Sequence, residues 1–191
     1  GSRSSGAFDG VAATRHACQR TEVTCQPRWG GGQYAGAARK GGFVAVGWDE
    51  LGDLSWVSTA ESPDNARPKL LEQYEETYGV TGMKAAIAAG QLLRFAREIA
   101  DGDFVFLPDG STKRVHIGRV SGPYLHVDRP TDGCPYSQRR PVEWLKDVPR
   151  STLPQPLLNT LSALTTIFSL HRRRAFAVAV VEGTEMPTPG L

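Results

Sequence analysis

The sequence has no uninterrupted apolar run of the roughly 18 residues that a membrane-spanning helix requires, and Gly1 to Gly10 lacks the apolar segment of a secretory signal. The expectation is a cytoplasmic chain with no membrane partner. Cysteine is scarce: Cys18, Cys25 and Cys134 make an odd set without Cys-x-x-Cys spacing, which supports neither a disulfide framework nor a zinc ribbon. Excess charge is nearly absent, with 22 Lys plus Arg against 20 Asp plus Glu and a net of +2. A globally basic, histone-like binder is excluded, so any nucleic-acid surface must be local.

Catalytic signatures are missing too. There is no Gly-x-Ser-x-Gly nucleophile turn and no His-Glu-x-x-His helix. Gly30-Gly31-Gly32 lacks the Gly-Lys-Ser/Thr ending and the preceding strand of a phosphate loop. His16, Cys18 and Cys25 form a metal-like cluster without a fourth ligand nearby. Asp49, Glu50 and Asp53 have the oxygen chemistry to hold magnesium, but three acids together more commonly mark a solvated loop. No catalytic residue, metal or cofactor is expected, and this chain is read as a non-enzyme.

What is present is one domain's worth of core, 191 residues at 40% hydrophobic. Residues 1–41 show neither helical nor strand periodicity and are expected to be a poorly packed extension beginning with a cloning remnant, Gly1-Ser2. From Phe43 to Trp48 a short apolar run predicts a buried strand, followed by an acidic loop, Asp49 to Asn65, carrying Trp56. Pro68 suits the first turn of a helix ending near Tyr78, and Ala88, Leu92, Phe95 and Ile99 mark a second.

Strand patterns follow at Phe104 to Leu107, Val115 to Val120, Tyr124 to Val127 and Arg139 to Leu145. Leu157, Leu158, Leu161, Leu164 and Phe168 then take helix-like spacing. Short turns between strands, with the main helices inserted after the first, imply an α+β fold: a partly open β-barrel with flanking helices over residues 42–170. Residues 171–191 read as a linker toward a missing downstream domain.

Charge is uneven along this domain. Asp49 to Glu76 is acidic, whereas Gly110 to Arg150 carries Lys113, Arg114, Arg119, Arg139 and Arg140, candidates for phosphate contacts on one face. Aromatics supply the second half of a nucleic-acid site. Trp48 ends the first strand, Trp56 lies in the loop beyond it, and Phe106 sits in a neighbouring strand, where such rings can stack on a base. Asp49, Ser55 and Gln91 are candidate readers of that base's hydrogen-bonding edge. His116 and His126, alone in their strands, read as structural.

The stretches Gly47-Trp48-Asp49-Glu50-Leu51-Gly52-Asp53-Leu54-Ser55, Gly90-Gln91-Leu92-Leu93-Arg94-Phe95, Gly102-Asp103-Phe104-Val105-Phe106, Ile117-Gly118-Arg119-Val120 and Arg139-Arg140-Pro141-Val142-Glu143-Trp144 occur in an order that resembles the amino-terminal domain of Mrr-like restriction endonucleases. That domain is similar to the EVE and YTH branch of the PUA-like barrels, which hold a modified base in a pocket at a strand end. The resemblance implies a module of a phage-defence restriction system that binds double-stranded DNA and flips a modified base into a pocket. Trp48, Asp49, Asp53, Leu54, Ser55, Trp56, Gln91 and Phe106 would line it. The nuclease, and any homo-oligomerisation, would belong to the downstream domain. Two other readings are an RNA-binding PUA-like domain and a protein-interaction or sensor module anchored by Trp48 and Trp56.

Overall fold

Phe43-Val44-Ala45-Val46 is buried throughout, so this segment has no face to offer water and forms a strand covered on both sides. The computed structural model describes residues 24–25, 33–162 and 167–187. His16, Cys18, Leu164 and the triple glycine lie outside them. The strands are β1 (Thr24–Cys25), β2 (Phe43–Val46), β3 (Phe104–Asp109), β4 (Arg114–Val120), β5 (Leu125–His126), β6 (Gln138–Pro149) and β7 (Ile167–Phe168). They make one curled sheet in the order β2-β6-β4-β3-β1-β7, with β5 also on β6. All pairings are antiparallel except β1 with β3.

β6 organises the sheet. Its first residues pair with β2 and β5, and from Val142 onward it pairs with β4. Gly118 lies opposite Trp144 but Ile117 lies opposite Lys146, so Leu145 is the extra residue of a bulge and is exposed. Only glycine fits at 118, since a Cβ there would come within 2.8 Å of the Trp144 ring and 2.9 Å of the Glu143 carbonyl.

Among the described residues, six helices flank the sheet: α1 (Ala35–Gly41), α2 (Ser55–Thr59), α3 (Pro63–Tyr78), α4 (Gly82–Leu93), α5 (Gln155–Leu161) and α6 (Arg174–Glu182). A π turn, Arg94–Glu98, continues α4. Strand alternation divides the core. Val44, Val46 and Val105 pack with Leu54, Leu70, Leu92 and Phe95 on the α2–α4 side. Phe104, Phe106, Val115 and Ile117 pack with Leu157, Leu161, Ala177 and Val180 on the α5–α6 side.

The α+β class and the curled sheet with flanking helices agree with the sequence reading. Several boundaries do not. The supposedly irregular residues 33–41 include α1, tied to the sheet by the Trp144 indole, which donates to the Ala38 carbonyl at 3.2 Å. α3 begins at Pro63, five residues before Pro68, because Ser62 caps it and accepts from the Asn65 N–H at 3.2 Å. The apolar spacing from Leu157 does not continue as helix: α5 ends at Leu161, and Phe168 lies in β7. Part of the expected linker is α6, whose Ala177 and Val180 complete the second core. Among the described residues, no helix is long and apolar enough to cross a membrane.

Candidate functional site

The chain leaves β2 at Trp48 in a left-handed conformation, φ 71°, which is rare for a bulky side chain. A short turn, Asp49–Leu51, follows, and then Gly52, also at positive φ. The surrounding structure imposes this path. The amide of Gln138, fully buried at the start of β6, donates to the Gly52 carbonyl at 2.9 Å and the Trp48 carbonyl at 3.4 Å. Its oxygen accepts from the Tyr124 hydroxyl, which in turn accepts from the Leu54 N–H at 3.0 Å. The Asp49 carboxylate accepts from the Ser137 N–H at 2.5 Å. From the other side, Gln73 of α3 donates to the Leu51 carbonyl at 2.9 Å, and the Tyr78 hydroxyl donates to Glu50 at 2.6 Å.

The loop is therefore clamped between β6 and α3. Trp48 and Trp56 stay half-buried against the first core, with the Lys69 ammonium 4.6 Å from the Trp56 ring. Asp53 and Ser55 are exposed, and the Asp53 carboxylate accepts from the Ser55 hydroxyl at 2.6 Å and its N–H at 2.8 Å. The Ser55 hydroxyl holds the Asp53 carboxyl below the usual range, and the Tyr78 hydroxyl does the same for Glu50. Both remain anionic acceptors at neutral pH.

Three expected pocket residues have their side chains elsewhere. Phe106 is fully buried in the second core, because the pleat puts it on the sheet face opposite Val105 and the Trp48 side. Gln91 is buried on α4 and accepts from the Ile167 N–H at 2.9 Å. Leu54 has its side chain in the first core and contributes through its N–H only. Trp48, Asp49, Asp53, Ser55 and Trp56 do share one loop and the helix that follows it.

The basic set also divides. Arg139 is 5% exposed. It pairs through two nitrogens with Asp132, donates to the Tyr136 and Cys134 carbonyls at 2.8 Å each, and lies 4.0 Å from the Phe43 ring centre. Arg140, 4% exposed, donates to the carbonyls of Phe95 at 2.7 Å, Ala96 at 3.0 Å and Gly122 at 3.3 Å. These two cations are interior braces, which corrects their assignment to phosphates. Their guanidinium forks satisfy carbonyls that would otherwise be buried without partners. Lys113 and Arg119 are exposed, and half-buried Arg114 donates to the Asp147 carbonyl at 2.8 Å.

Two groups escaped the sequence reading. Gln138 and Tyr124, which set the loop, carry no local signal, since their partners in that loop lie 70 to 90 residues away. His116 sits in a separate network. Its ring nitrogens lie 2.8 Å from Asp147 and 3.4 Å from Asp109, and Arg39 reaches Asp147 at 3.1 Å. Burial pushes the Asp109 carboxyl up, but hydrogen bonds from Ser111 and Thr112 outweigh it and hold it down at about 2. This network ties α1, β3, β4 and β6 together around a buried His116 ring, consistent with the structural role expected for it. No cluster that could hold a metal ion occurs among the described residues.

Residues 30–171 match the family model described as a domain of unknown function, DUF8426. The chain belongs to this family. No curated protein and no solved structure matches it. The DUF8426 region takes in strands β2 to β7 and the clamped Trp48 loop, while β1 lies before its first matched residue and α6 beyond its last.

Proposed function

We propose that this DUF8426 domain is a PUA-like reader that binds double-stranded DNA and takes a modified base onto the loop from Trp48 to Trp56. One observation carries the reading: Trp48 is held half-buried in a left-handed conformation by a fully buried glutamine. Costly backbone geometry at a large aromatic persists only where the surroundings over-determine it, and it concentrates at functional sites. A ring fixed in this way offers a stacking face, and the anionic oxygens of Asp49 and Asp53 suit the exocyclic amino group of cytosine or adenine. The acceptors are local and acidic, so backbone affinity must come from cations elsewhere on the surface, with Lys113, Arg119 and Arg114 the remaining candidates.

The test is a panel of otherwise identical duplexes carrying unmodified, methylated, hydroxymethylated or glucosylated bases, with single- and double-stranded RNA as competitors. The reading expects one modified duplex to bind best and Trp48→Ala to abolish that preference in folded protein. Equal affinity for every duplex, or displacement by RNA at lower concentration than by DNA, overturns it. The resemblance to Mrr-like restriction endonucleases supports a place in a phage-defence system, tested by whether the full-length protein restricts modified phage DNA.

A further inference from the structure

A second non-glycine residue beside the Trp48 loop takes the left-handed conformation. Arg129, φ 53°, precedes Pro130, a position that ordinarily favours extended backbone. Its side chain is 92% exposed and that of its neighbour Asp128 is 85% exposed, with the guanidinium 4.0 Å from the carboxylate. Among the described residues no other side chain pairs with either.

The base of their loop is nevertheless fixed. Val127 donates to the Ser137 carbonyl at 2.9 Å, while the Ser137 N–H donates to Asp49, the residue after Trp48. On the far side of the loop, Asp132 is gripped by Arg139 and also accepts from the Cys134 N–H at 3.3 Å. A rigid root thus carries a fully solvated Asp-Arg tip. Two residues of chain span at most about 7 Å, so the tip stays close to the strand pair that holds Asp49.

We infer that Asp128 and Arg129 read the edges of base pairs flanking the modified base. This inference rests on the DNA-reader reading above. An acid beside the arginine opposes a phosphate contact, since it cancels the charge that such a contact needs. Base-pair edges present both donors and acceptors, and an arginine fork matches guanine as a carboxylate matches the cytosine amino group.

The experiment measures two ratios on the whole chain: modified over unmodified duplex, and best over worst flanking base pair in a library with the modified base held fixed. Arg129→Gly keeps the left-handed backbone without strain and removes only the side chain. It should reduce the flanking ratio by roughly five- to 150-fold, the usual discrimination of one bidentate base contact, and leave the modification ratio unchanged. Asp128→Asn should shift which flanking pair is preferred. A flat flanking ratio in the unaltered chain overturns the inference, as does an unchanged one in Arg129→Gly. Uniform weakening of all duplexes, with the salt slope lowered by about one, would make Arg129 a phosphate contact and also overturn it. A flat modification ratio in the unaltered chain defeats the base-reader reading instead, and the two failures are read from separate ratios.

Discussion

The buried amide of Gln138 donates to the Trp48 carbonyl across 90 residues of sequence, and so couples the start of β6 to the loop at the end of β2. Gln138→Leu removes this donor, the Gly52 bond and the acceptor for Tyr124. Loss of the Gly52 carbonyl's donor and of the Tyr124 hydroxyl's acceptor should cost about 1–3 kcal/mol of folding stability, measured by denaturant unfolding. The loop should also loosen, with hydrogen exchange at Gly52 and Leu54 rising more than in β3.

Trp48 allows its ring and its backbone to be separated. A left-handed L-residue costs roughly 1–2 kcal/mol, whereas glycine adopts that geometry freely. Trp48→Gly should therefore be more stable than Trp48→Ala by about 0.5 kcal/mol or more, after the greater flexibility of unfolded glycine is offset. Both should lose modified-base preference equally. Equal stability of the two would mean that the loop relaxes once the ring is gone.

Arg140→Ala should be a stability variant and nothing else. It abandons the Phe95, Ala96 and Gly122 carbonyls in the interior, and hydrogen bonds to a charged group are worth about 1.5–3 kcal/mol each before the lost packing is counted. DNA affinity should fall only in proportion to the folded fraction, with the salt slope intact. A reduced slope in well-folded protein would return Arg140 to the phosphate contacts.

Asp132 gives the fold an acid sensitivity. Its hydrogen bonds with Arg139 hold its carboxyl at about 2, against an ordinary 3.8. A depressed folded value means that the ionised form stabilises the fold above about pH 3.8, and that this contribution fades as pH falls through about 2. Asp132→Asn should flatten the stability profile across that window and leave its shape above pH 5 unchanged, as followed by circular dichroism during acid titration.

Removal of residues 172–191 should lower the melting temperature and increase dye binding to exposed apolar surface. Val180 and Ala177 cover the second core, and one buried valine contributes about 1.5 kcal/mol or more. An unchanged melting curve would restore this segment to the status of a linker.

The elements visible in the sequence were those with a local period. α4, β3 and β4 have their apolar residues at helix or strand spacing, and the Trp48 turn stood out by its aromatic and acidic content. Phe106 misled because both faces of β3 are buried, so composition alone gave no indication of which core it joins. Arg139 and Arg140 misled for a different reason: most of their partners are backbone carbonyls, which leave no trace in the charge pattern, and the one acid, Asp132, is paired only once the loop between it and Arg139 folds back. α6 was missed because two prolines after it suggested a linker, while its alanine-rich core face is weakly hydrophobic.

The shared strand β6 has a consequence for how the protein comes into being. During synthesis the Trp48 loop leaves the ribosome long before Gln138, and β2 has no hydrogen-bonded neighbour until β6 arrives to pair with it. The site therefore cannot mature along with its own segment. It waits for a late, long-range closure of the kind that slows folding, and until then Phe43, Val44 and Val46 form a short apolar edge exposed to wrong partners.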